Sequence, residues 1–261
     1  MNEKSVALEG VGRLAFAAFQ LHSVASTTST QDVVRTAARA GAAPGFCCLA
    51  ASQSAGRGRQ DRRWLAPPGS GLLFSILARM RHDRISGVPI AAGLATRAAI
   101  VSIADCDARV KWPNDILVGH RKLAGTICEV EPAAPGEGTA VVIGTGVNLT
   151  VPSFPPGVAG ISLHEVMASP PSARRLLAAL LPELASRLDA LETTGMAPLR
   201  DEWMLHAYGI GATVTATSAA GVVTGVAEGI DDDGALLIRG DRGTVRVLAG
   251  DVHLAGREPT V

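Results

Sequence analysis

The segment SQSAGRGRQDRRW, residues 52–64, places four arginines around two glycines and ends on a tryptophan. Glycines let a backbone approach a ligand closely and turn its N–H groups toward it. Arginine offers a planar fork that fits phosphate or carboxylate oxygens. The spacing matches neither the GxxxxGK[ST] loop nor the GxGxxG fingerprint of nucleotide-binding proteins. Taken alone, the segment is either an anion-binding loop or a solvated basic loop.

The charge of the whole chain favours a small anionic ligand over nucleic acid. Across 261 residues, 24 Lys and Arg balance 24 Asp and Glu, so the formal net charge is zero. Nucleic-acid-binding domains carry a basic excess over a whole face, and many stack bases on aromatic rings. Aromatic residues make up only 3% of this chain. We therefore expect no nucleic-acid partner.

Composition predicts a globular, cytoplasmic protein without a membrane partner. The hydrophobic fraction is 47% and the charged fraction 18%, which allows a large buried core. Residues 1–20 make a poor signal peptide because charged residues interrupt their apolar patch. No uninterrupted run reaches the ~18–20 apolar residues that a membrane span needs. The four cysteines form no CxxC pair, which indicates free thiols in a reducing compartment rather than disulfides or a zinc site.

Residues 28–131 predict alternating helices and strands. Hydroxyl residues at 28–30, followed by QDVVRTAARAG, predict a capped helix over residues 30–40. Apolar runs at 46–52 and 72–80 predict strands on either side of the basic segment. The small-residue run 88–104 predicts a helix. Residues 108–131 predict strands that are broken at Pro113 and joined by a turn at Gly119-His120.

The remaining residues predict an end to the first domain and a second, smaller one. We expect a loop at 132–138, a strand at 140–149 that runs into a glycine bend, and a surface loop at 150–160. Leucines spaced three and four residues apart predict an amphipathic helix over 172–192. Pro182 should kink or split that helix. From about residue 210, short strands at intervals of about ten residues predict a small β-barrel or sandwich.

Two further stretches could carry chemistry. Lys111 ends an apolar strand beside Trp112-Pro113, where a lysine can neutralise charge that develops during acyl or phosphoryl transfer. The alternative is an exposed lysine at a strand end. The stretch GTGVN, residues 144–148, either passes close to a nucleotide or is an ordinary glycine turn. The six histidines form no recognised catalytic or metal-binding motif.

Taken in order, these stretches resemble biotin–protein ligase. The resemblance rests on Ser29-Thr30, on QSAGRGR and the following Trp64, on KWPND at 111–115, on RKLAG at 121–125 and on GTGVN at 144–148. It runs from about residue 20 to the C-terminus. It implies an α+β fold: a mixed sheet with flanking helices, similar to class II aminoacyl-tRNA synthetases, followed by a small SH3-like β-barrel. The implied domains are residues 1–208, which bind biotin and ATP, and residues 209–261.

The resemblance also implies an activity. The family forms biotinyl-5′-AMP from biotin and ATP with Mg²⁺, releases pyrophosphate, and transfers biotin to a lysine of a biotin carboxyl carrier protein. Here it implies biotin and MgATP as ligands, a carrier protein or carboxylase domain as partner, and a monomer or weak homodimer. Some members carry an N-terminal winged helix. The residues before Ser29 are too few for one, so no DNA-binding role is expected.

Roles of single residues follow from the resemblance alone. The biotin-binding residues would be Ser29, Thr30, Gln53, Arg57, Gly58, Arg59, Lys111 and Gly125. The nucleotide-binding residues would be Arg57, Arg59, Trp64, Asn114 and Asn148. Lys111 and Arg59 would be catalytic: the lysine contacts the biotin carboxylate and the α-phosphate, and the arginine covers the adenylate phosphate. The chain departs from the family at Gln31, where the family has Asn. Gln31, Arg62 and Arg63 have no assigned role, and no residue is assigned to Mg²⁺.

Two other functions stay open. A lipoate–protein ligase or octanoyltransferase shares the catalytic fold, although the pairing of GRGR with KWPND argues against it. A biotin-responsive regulator without catalysis would bind biotin but form no adenylate.

Overall fold

The computed structural model describes residues 4–6, 18–60, 62–132 and 138–255. Most of the stretch considered as a signal peptide, and most of the predicted loop at 132–138, lie outside the described residues. Within them, the chain forms an eight-stranded mixed sheet with helices on both faces and a separate five-stranded antiparallel sheet. The expected division into a mixed sheet with helices followed by a β-rich segment is thus present.

The large sheet contains eight strands, in the order β1-β2-β3-β4-β8-β7-β6-β5. Their bounds are β1 (Lys4–Val6), β2 (Phe19–Val24), β3 (Phe46–Ala50), β4 (Gly71–Met80), β5 (Ala108–Lys111), β6 (Asp115–Val118), β7 (Arg121–Glu131) and β8 (Thr139–Asn148). Strands β2 and β3 are parallel, and all other neighbouring pairs are antiparallel. The strands predicted at 46–52, 72–80 and 108–131 are confirmed, with the turn at Gly119-His120.

The described residues form the α-helices α1 (Thr30–Arg39), α2 (Val88–Val101), α3 (Ala173–Thr194) and α4 (Ala197–His206). The Oγ atom of Ser29 accepts the backbone N–H of Gln31 and caps α1, as predicted. Side chains alternate across a strand, so β4 serves two cores. Leu77 packs with Val34 of α1, whereas Phe74 and Ile76 join the larger core that α2 and α3 cover.

Helix α3 runs without a break through Pro182. Of the two outcomes predicted for Pro182, a kink or a split, the split does not occur. A proline inside a helix costs about 3 kcal/mol through its missing hydrogen bond and a clash. That cost is offset by one continuous row of buried leucines on both sides of it: Leu176, Leu177, Leu180, Leu181, Leu184, Leu188 and Leu191.

The segment His82–Val101, a 3₁₀ turn followed by α2, is long and apolar enough to cross a membrane by length and composition. No uninterrupted apolar run marks this segment in the sequence, because charged residues fall inside it. In the structure, 61% of its most apolar window is buried inside the protein. Its apolar surface is therefore used mainly in the core, against α3 and the large sheet.

The small sheet has the order β12-β11-β10-β9-β13. Its strands are β9 (Thr213–Ser218), β10 (Gly221–Ile230), β11 (Leu236–Gly240), β12 (Gly243–Val247) and β13 (Asp251–Leu254). Apolar residues of β9, β10 and β11 belong to the same core cluster as Trp112 and Trp203. The two sheets therefore share one continuous core. Residues of β13 and Lys111 at the end of β5 line the same cavity.

Candidate functional site

All eleven residues expected to bind ligands line one cavity of about 830 Å³. They are Ser29, Thr30, Gln53, Arg57, Gly58, Arg59, Trp64, Lys111, Asn114, Gly125 and Asn148. The cavity lies between the start of α1, the basic loop, strands β5 to β8 and strand β13. Residues that are up to 119 positions apart in the chain (29 to 148) thus meet at one place. A cavity of this size can hold a drug-sized ligand.

Three glycines of β7 and β8 leave the floor of the cavity open. Gly125 pairs with Gly146 across the two strands, and Gly144 lies two residues along β8. A Cβ atom on Gly146 would lie 2.5 Å from Cε2 of Trp64, and one on Gly144 would lie 2.7 Å from Oε1 of Gln31. The predicted glycine bend is wrong, because β8 stays paired with β4 from Thr139 to Asn148. These glycines provide space rather than a turn.

The start of α1 and strand β4 form a polar end of the cavity. The Oε1 atom of Gln53 accepts the backbone N–H of Thr30 at 2.7 Å and its hydroxyl at 3.0 Å. The Thr30 hydroxyl also lies 2.8 Å from Oγ of Ser75. Ser75 is 1% exposed and was not among the predicted site residues. In the sequence, Ser75 stands out only as a single hydroxyl residue inside the apolar strand LLFSILARM.

The basic loop folds back on itself as a short hairpin. The Gly58 N–H donates to Arg62 O at 2.7 Å, and the Trp64 N–H donates to Gly56 O at 3.0 Å. A Cβ atom on Gly56 would lie 2.5 Å from Trp64 O, so only glycine allows the two sides to approach this closely. The hairpin brings Trp64 over the cavity floor and spreads the arginine side chains around it.

Each arginine of the hairpin has a polar partner, so the loop is not simply solvated. Arg57 pairs with Asp32 of α1 and with Glu129 of β7. Arg63 donates to the carbonyl of Ser54. Arg59 donates to Asn114 Oδ1 at 3.3 Å and to Gly250 O at 3.1 Å, and Arg62 pairs with Asp251 at 2.7 Å. Arg59 and Arg62 thus attach the loop to the small sheet. Burial lowers the pKa of Arg59, against the opposing effect of Asp251 and Asp115.

Lys111 brings a positive charge without a close partner to the cavity. Its ammonium makes no hydrogen bond or ion pair with the residues that the structure describes. Burial lowers the pKa of Lys111, and the nearby Asp115 opposes this effect. Lys122, the neighbouring cation, is instead paired with Asp115 at 2.6 Å and lies 5.6 Å from the ring centroid of Trp64. Lys111 is therefore the lysine that remains available to an anionic ligand.

The amide side chains of Asn114 and Asn148 hold the cavity wall. Asn148 donates to Lys122 O at 3.2 Å and to Ile161 O at 3.1 Å. Its NH₂ group is thereby used, and only its carbonyl oxygen remains for a ligand. Asn114 donates to Thr126 O at 2.6 Å while accepting from Arg59. Both residues join separate segments of the wall as well as lining the cavity.

The cysteines offer no reactive thiolate. Burial raises the pKa of Cys47 to about 12, of Cys48 to about 11 and of Cys128 to about 12. Within the described ranges, no group of three or more His, Cys, Asp or Glu residues is placed to hold a metal ion. The chemistry that the cavity supports is charge stabilisation by Lys111 and the arginines.

Comparisons with known proteins identify the family to which the two parts of the chain are similar. Residues 23–148 match the biotin/lipoate A/B protein ligase family, and residues 209–254 match the biotin protein ligase C terminal domain. A biotin–[acetyl-CoA-carboxylase] ligase of Mycobacterium tuberculosis is 33% identical over 245 residues, covering 90% of this chain and 89% of that protein. One of Paracoccus denitrificans is 32% identical over 223 residues, covering 80% of this chain and 90% of that protein.

A solved structure shows the same fold. It is the biotin protein ligase from Aquifex aeolicus in complex with biotin and ATP, with a TM-score of 0.78 and 22% sequence identity. The match covers 90% of this chain and 99% of that one. Together with the match of residues 209–254, it confirms the expected mixed sheet with flanking helices and the SH3-like C-terminal domain.

Proposed function

We infer the reaction from one premise: the chain belongs to the biotin/lipoate A/B protein ligase family, as a biotin–protein ligase. Biotin and ATP form biotinyl-5′-AMP and pyrophosphate, and the biotinyl group then passes to a protein. We propose that the acceptor is one lysine of a biotin carboxyl carrier protein or carboxylase domain, and that the reaction takes place in the cytoplasm. We also propose a domain boundary between residues 208 and 209.

The single observation that carries the proposal is the Lys111 ammonium, which has no partner among the described residues, in a cavity that also contains Arg57 and Arg59. A carboxylate and a triphosphate repel each other, and the reaction needs them within bonding distance. Fixed positive charges in a partly dry site offset that repulsion and stabilise the charge that develops on the phosphate oxygens. No paired or fully solvated lysine would do this as well.

In the first step, a carboxylate oxygen of biotin attacks the α-phosphorus of ATP, and pyrophosphate leaves with the electron pair of the broken P–O bond. Lys111 would contact both the carboxylate and the α-phosphate. Arg57 and Arg59 would cover the phosphate from the hairpin. Mg²⁺ enters with ATP as part of the substrate. Mg²⁺ of this kind would take its oxygen ligands from the triphosphate and from water, with at most one or two carboxylates of the protein.

In the second step, the amine of the acceptor lysine attacks the biotinyl carbonyl and AMP leaves. Water must not compete with that amine, so the adenylate has to be covered. The hairpin can provide the cover, because Arg59 and Arg62 connect it to Gly250 and Asp251 on the opposite side of the cavity.

The polar end of the cavity suits the ureido ring of biotin. Ser29, Thr30 and Gln53 would contact this ring, and Gly125 would leave room beside it. Trp64 and Asn114 would line the nucleotide side. The remaining carbonyl oxygen of Asn148 can accept a hydrogen bond from the adenine amino group, because its NH₂ group is already occupied.

The proposal is tested by mixing the protein with ATP, Mg²⁺, labelled biotin and a biotin carboxyl carrier domain. We expect release of pyrophosphate that depends on biotin, and label on the carrier. Lipoate in place of biotin tests the lipoate-ligase alternative and should give neither product. Pyrophosphate release without label on the carrier would support the adenylation step and overturn the proposed acceptor. Binding of biotin without pyrophosphate would favour the regulator.

Arg59→Ala should shorten the life of the enzyme-bound adenylate. Without this side chain the hairpin loses its contacts with Asn114 Oδ1 and Gly250 O, and water reaches the mixed anhydride. We expect free biotin and AMP to appear about 10-fold faster when no carrier is present, as for a loss of about 1.4 kcal/mol. Single-turnover experiments with labelled biotin measure this rate. An unchanged rate would show that the hairpin does not cover the intermediate.

A further inference from the structure

Strand β13 brings a histidine, His253, to the cavity. It is half-buried, and its imidazole makes no hydrogen bond or ion pair with the residues that the structure describes. In the pairing of β13 with β9, His253 lies opposite Thr215, and Val252 lies opposite Ala216. Val252 and Ala216 are buried in the core. Because side chains alternate across a strand, His253 shares the other face of β13 with Asp251.

The face of β13 that carries His253 lies beside the groups proposed to react. Asp251, two residues away on this face, pairs with Arg62 of the hairpin at 2.7 Å. Of the charged groups that act on His253, Lys111 has the largest effect, followed by Asp251 and Arg62. Lys111 is the side chain proposed to contact the biotin carboxylate and the α-phosphate. The imidazole therefore lies on the side of the cavity where the acyl group and the phosphate are joined.

The other groups at the cavity that could accept a proton are less suitable. Among the described residues that line it, the carboxylates are Asp115 and Asp251, and the histidines are His120 and His253. Each carboxylate is paired with a cation, at 2.6 and 2.7 Å, which makes it a weak base. His120 is exposed, in the turn between β6 and β7. Burial and the charge of Lys111 lower the pKa of His253, against the opposing effect of Asp251, so its imidazole is neutral near pH ~7.

We propose that His253 is the general base of the second step: its imidazole accepts a proton from the acceptor lysine while the amine attacks the biotinyl carbonyl. The proposal rests on the proposed function. The neutral amine forms the new C–N bond with its lone pair, and AMP leaves with the electron pair of the broken C–O bond. The nitrogen, positively charged once it is bonded, loses one proton to His253, and the imidazolium then passes this proton to water. A side chain placed to accept a proton contributes typically about 10²–10⁴-fold to such a step.

The pH dependence of the second step tests the proposal. The protein is first loaded with biotin and MgATP, and a biotin carboxyl carrier domain is then added for a single turnover. Below the pKa of His253, the logarithm of the transfer rate should rise with pH at a slope of about 2, because both the amine and the imidazole must lose a proton; above it, the slope should be about 1. In His253→Gln, whose side chain cannot accept the proton, the slope should be about 1 throughout and transfer near neutral pH about 100-fold slower.

His120→Gln is the matched control, because it removes the other described histidine that lines the cavity. It should keep the slope of the wild type. Release of pyrophosphate measures the first step in each protein, and in His253→Gln the loss in transfer should exceed the loss in this release by at least about 10-fold.

The outcomes separate this inference from the function it rests on. Equal losses in both steps, or a wild-type slope in His253→Gln, would overturn the role of His253 alone. If His253→Gln does not fold, the wild-type profile decides, since a slope of about 1 at every pH would reject a base of this kind. A wild-type protein that releases no pyrophosphate, or passes no biotin to the carrier, would overturn the proposed function instead.

Discussion

Replacing Lys111 with alanine should lower the rate of biotin adenylation by about 10²–10³-fold, the range found when one preorganised electrostatic group is removed from an active site. The reason is that Lys111 has no hydrogen bond or ion pair with the described residues, so its ammonium can contact the two anionic substrates directly. Biotin-dependent release of pyrophosphate measures the rate. Biotin binding without ATP should change much less, since the polar end of the cavity is intact.

The matched control is Lys122→Ala. Lys122 lines the same cavity, but it already pairs with Asp115. We expect its removal to slow adenylation by about 10-fold or less, in keeping with the modest value of a partly exposed ion pair. Near-normal pyrophosphate release by Lys111→Ala, or an equal loss in both variants, would remove Lys111 from its proposed position between the carboxylate and the phosphate.

The same lysine predicts a pH dependence. Burial lowers the pKa of Lys111, so its ammonium loses its proton at a lower pH than an exposed lysine would. The value of kcat/KM for adenylation should therefore fall on the alkaline side at a lower pH than an exposed lysine predicts. In Lys111→Arg that fall should disappear, because a guanidinium stays protonated. A profile that is the same in both proteins would assign the titration to another group.

Gly146→Ala should weaken biotin binding by about 100-fold. The new Cβ atom would lie 2.5 Å from Cε2 and 2.8 Å from Cζ2 of Trp64, closer than any real contact. Trp64 cannot move aside freely, since the Lys122 ammonium lies over its ring and Gly56 O holds its backbone N–H. The ring or the strand must therefore shift into the cavity, and overpacking of this kind costs about 1–3 kcal/mol. Calorimetric titration with biotin measures the loss.

Gly93→Ala is the control for Gly146→Ala. Gly93 lies within α2, and a Cβ atom there meets nothing within 4 Å. Alanine is the better helix former, so this variant should bind biotin normally and unfold at the same temperature or slightly higher. If Gly146→Ala binds biotin as tightly as Gly93→Ala, the glycine floor does not set the space for the ligand.

Local pattern was sufficient to predict most of the elements. The capping hydroxyl of Ser29, the apolar strands around the basic loop and the turn at Gly119-His120 all follow from short stretches of sequence, and the structure contains them. The bend predicted near Gly144 does not form, and Pro182 does not split its helix. In each case a local preference was outweighed by contacts that are distant in the chain: buried leucines hold α3 together, and pairing with β4 keeps β8 extended. Neither contact can be read from neighbouring residues.

Only part of the candidate site could be predicted from the sequence. The eleven residues carried over from the family resemblance all line the cavity, but pattern alone left each of them with an equally plausible structural role. Ser75 was missed because one hydroxyl in an apolar strand carries no spacing signal. The partners of Arg59 and Arg62 could not be predicted either, since Gly250 and Asp251 follow them by 191 and 189 positions.

The contacts with the small sheet set a time order for the production of active protein. Trp112 donates its Nε1 hydrogen to Gly234 O at 2.9 Å, and Arg59 and Arg62 are held by Gly250 and Asp251. A chain still on the ribosome that has not reached residue 251 contains Lys111 but lacks this wall. It cannot hold a reactive acyl-adenylate away from water. On the proposed mechanism, a nascent chain would therefore leave any adenylate open to water, and protected ligation would begin only with the last strands to be translated.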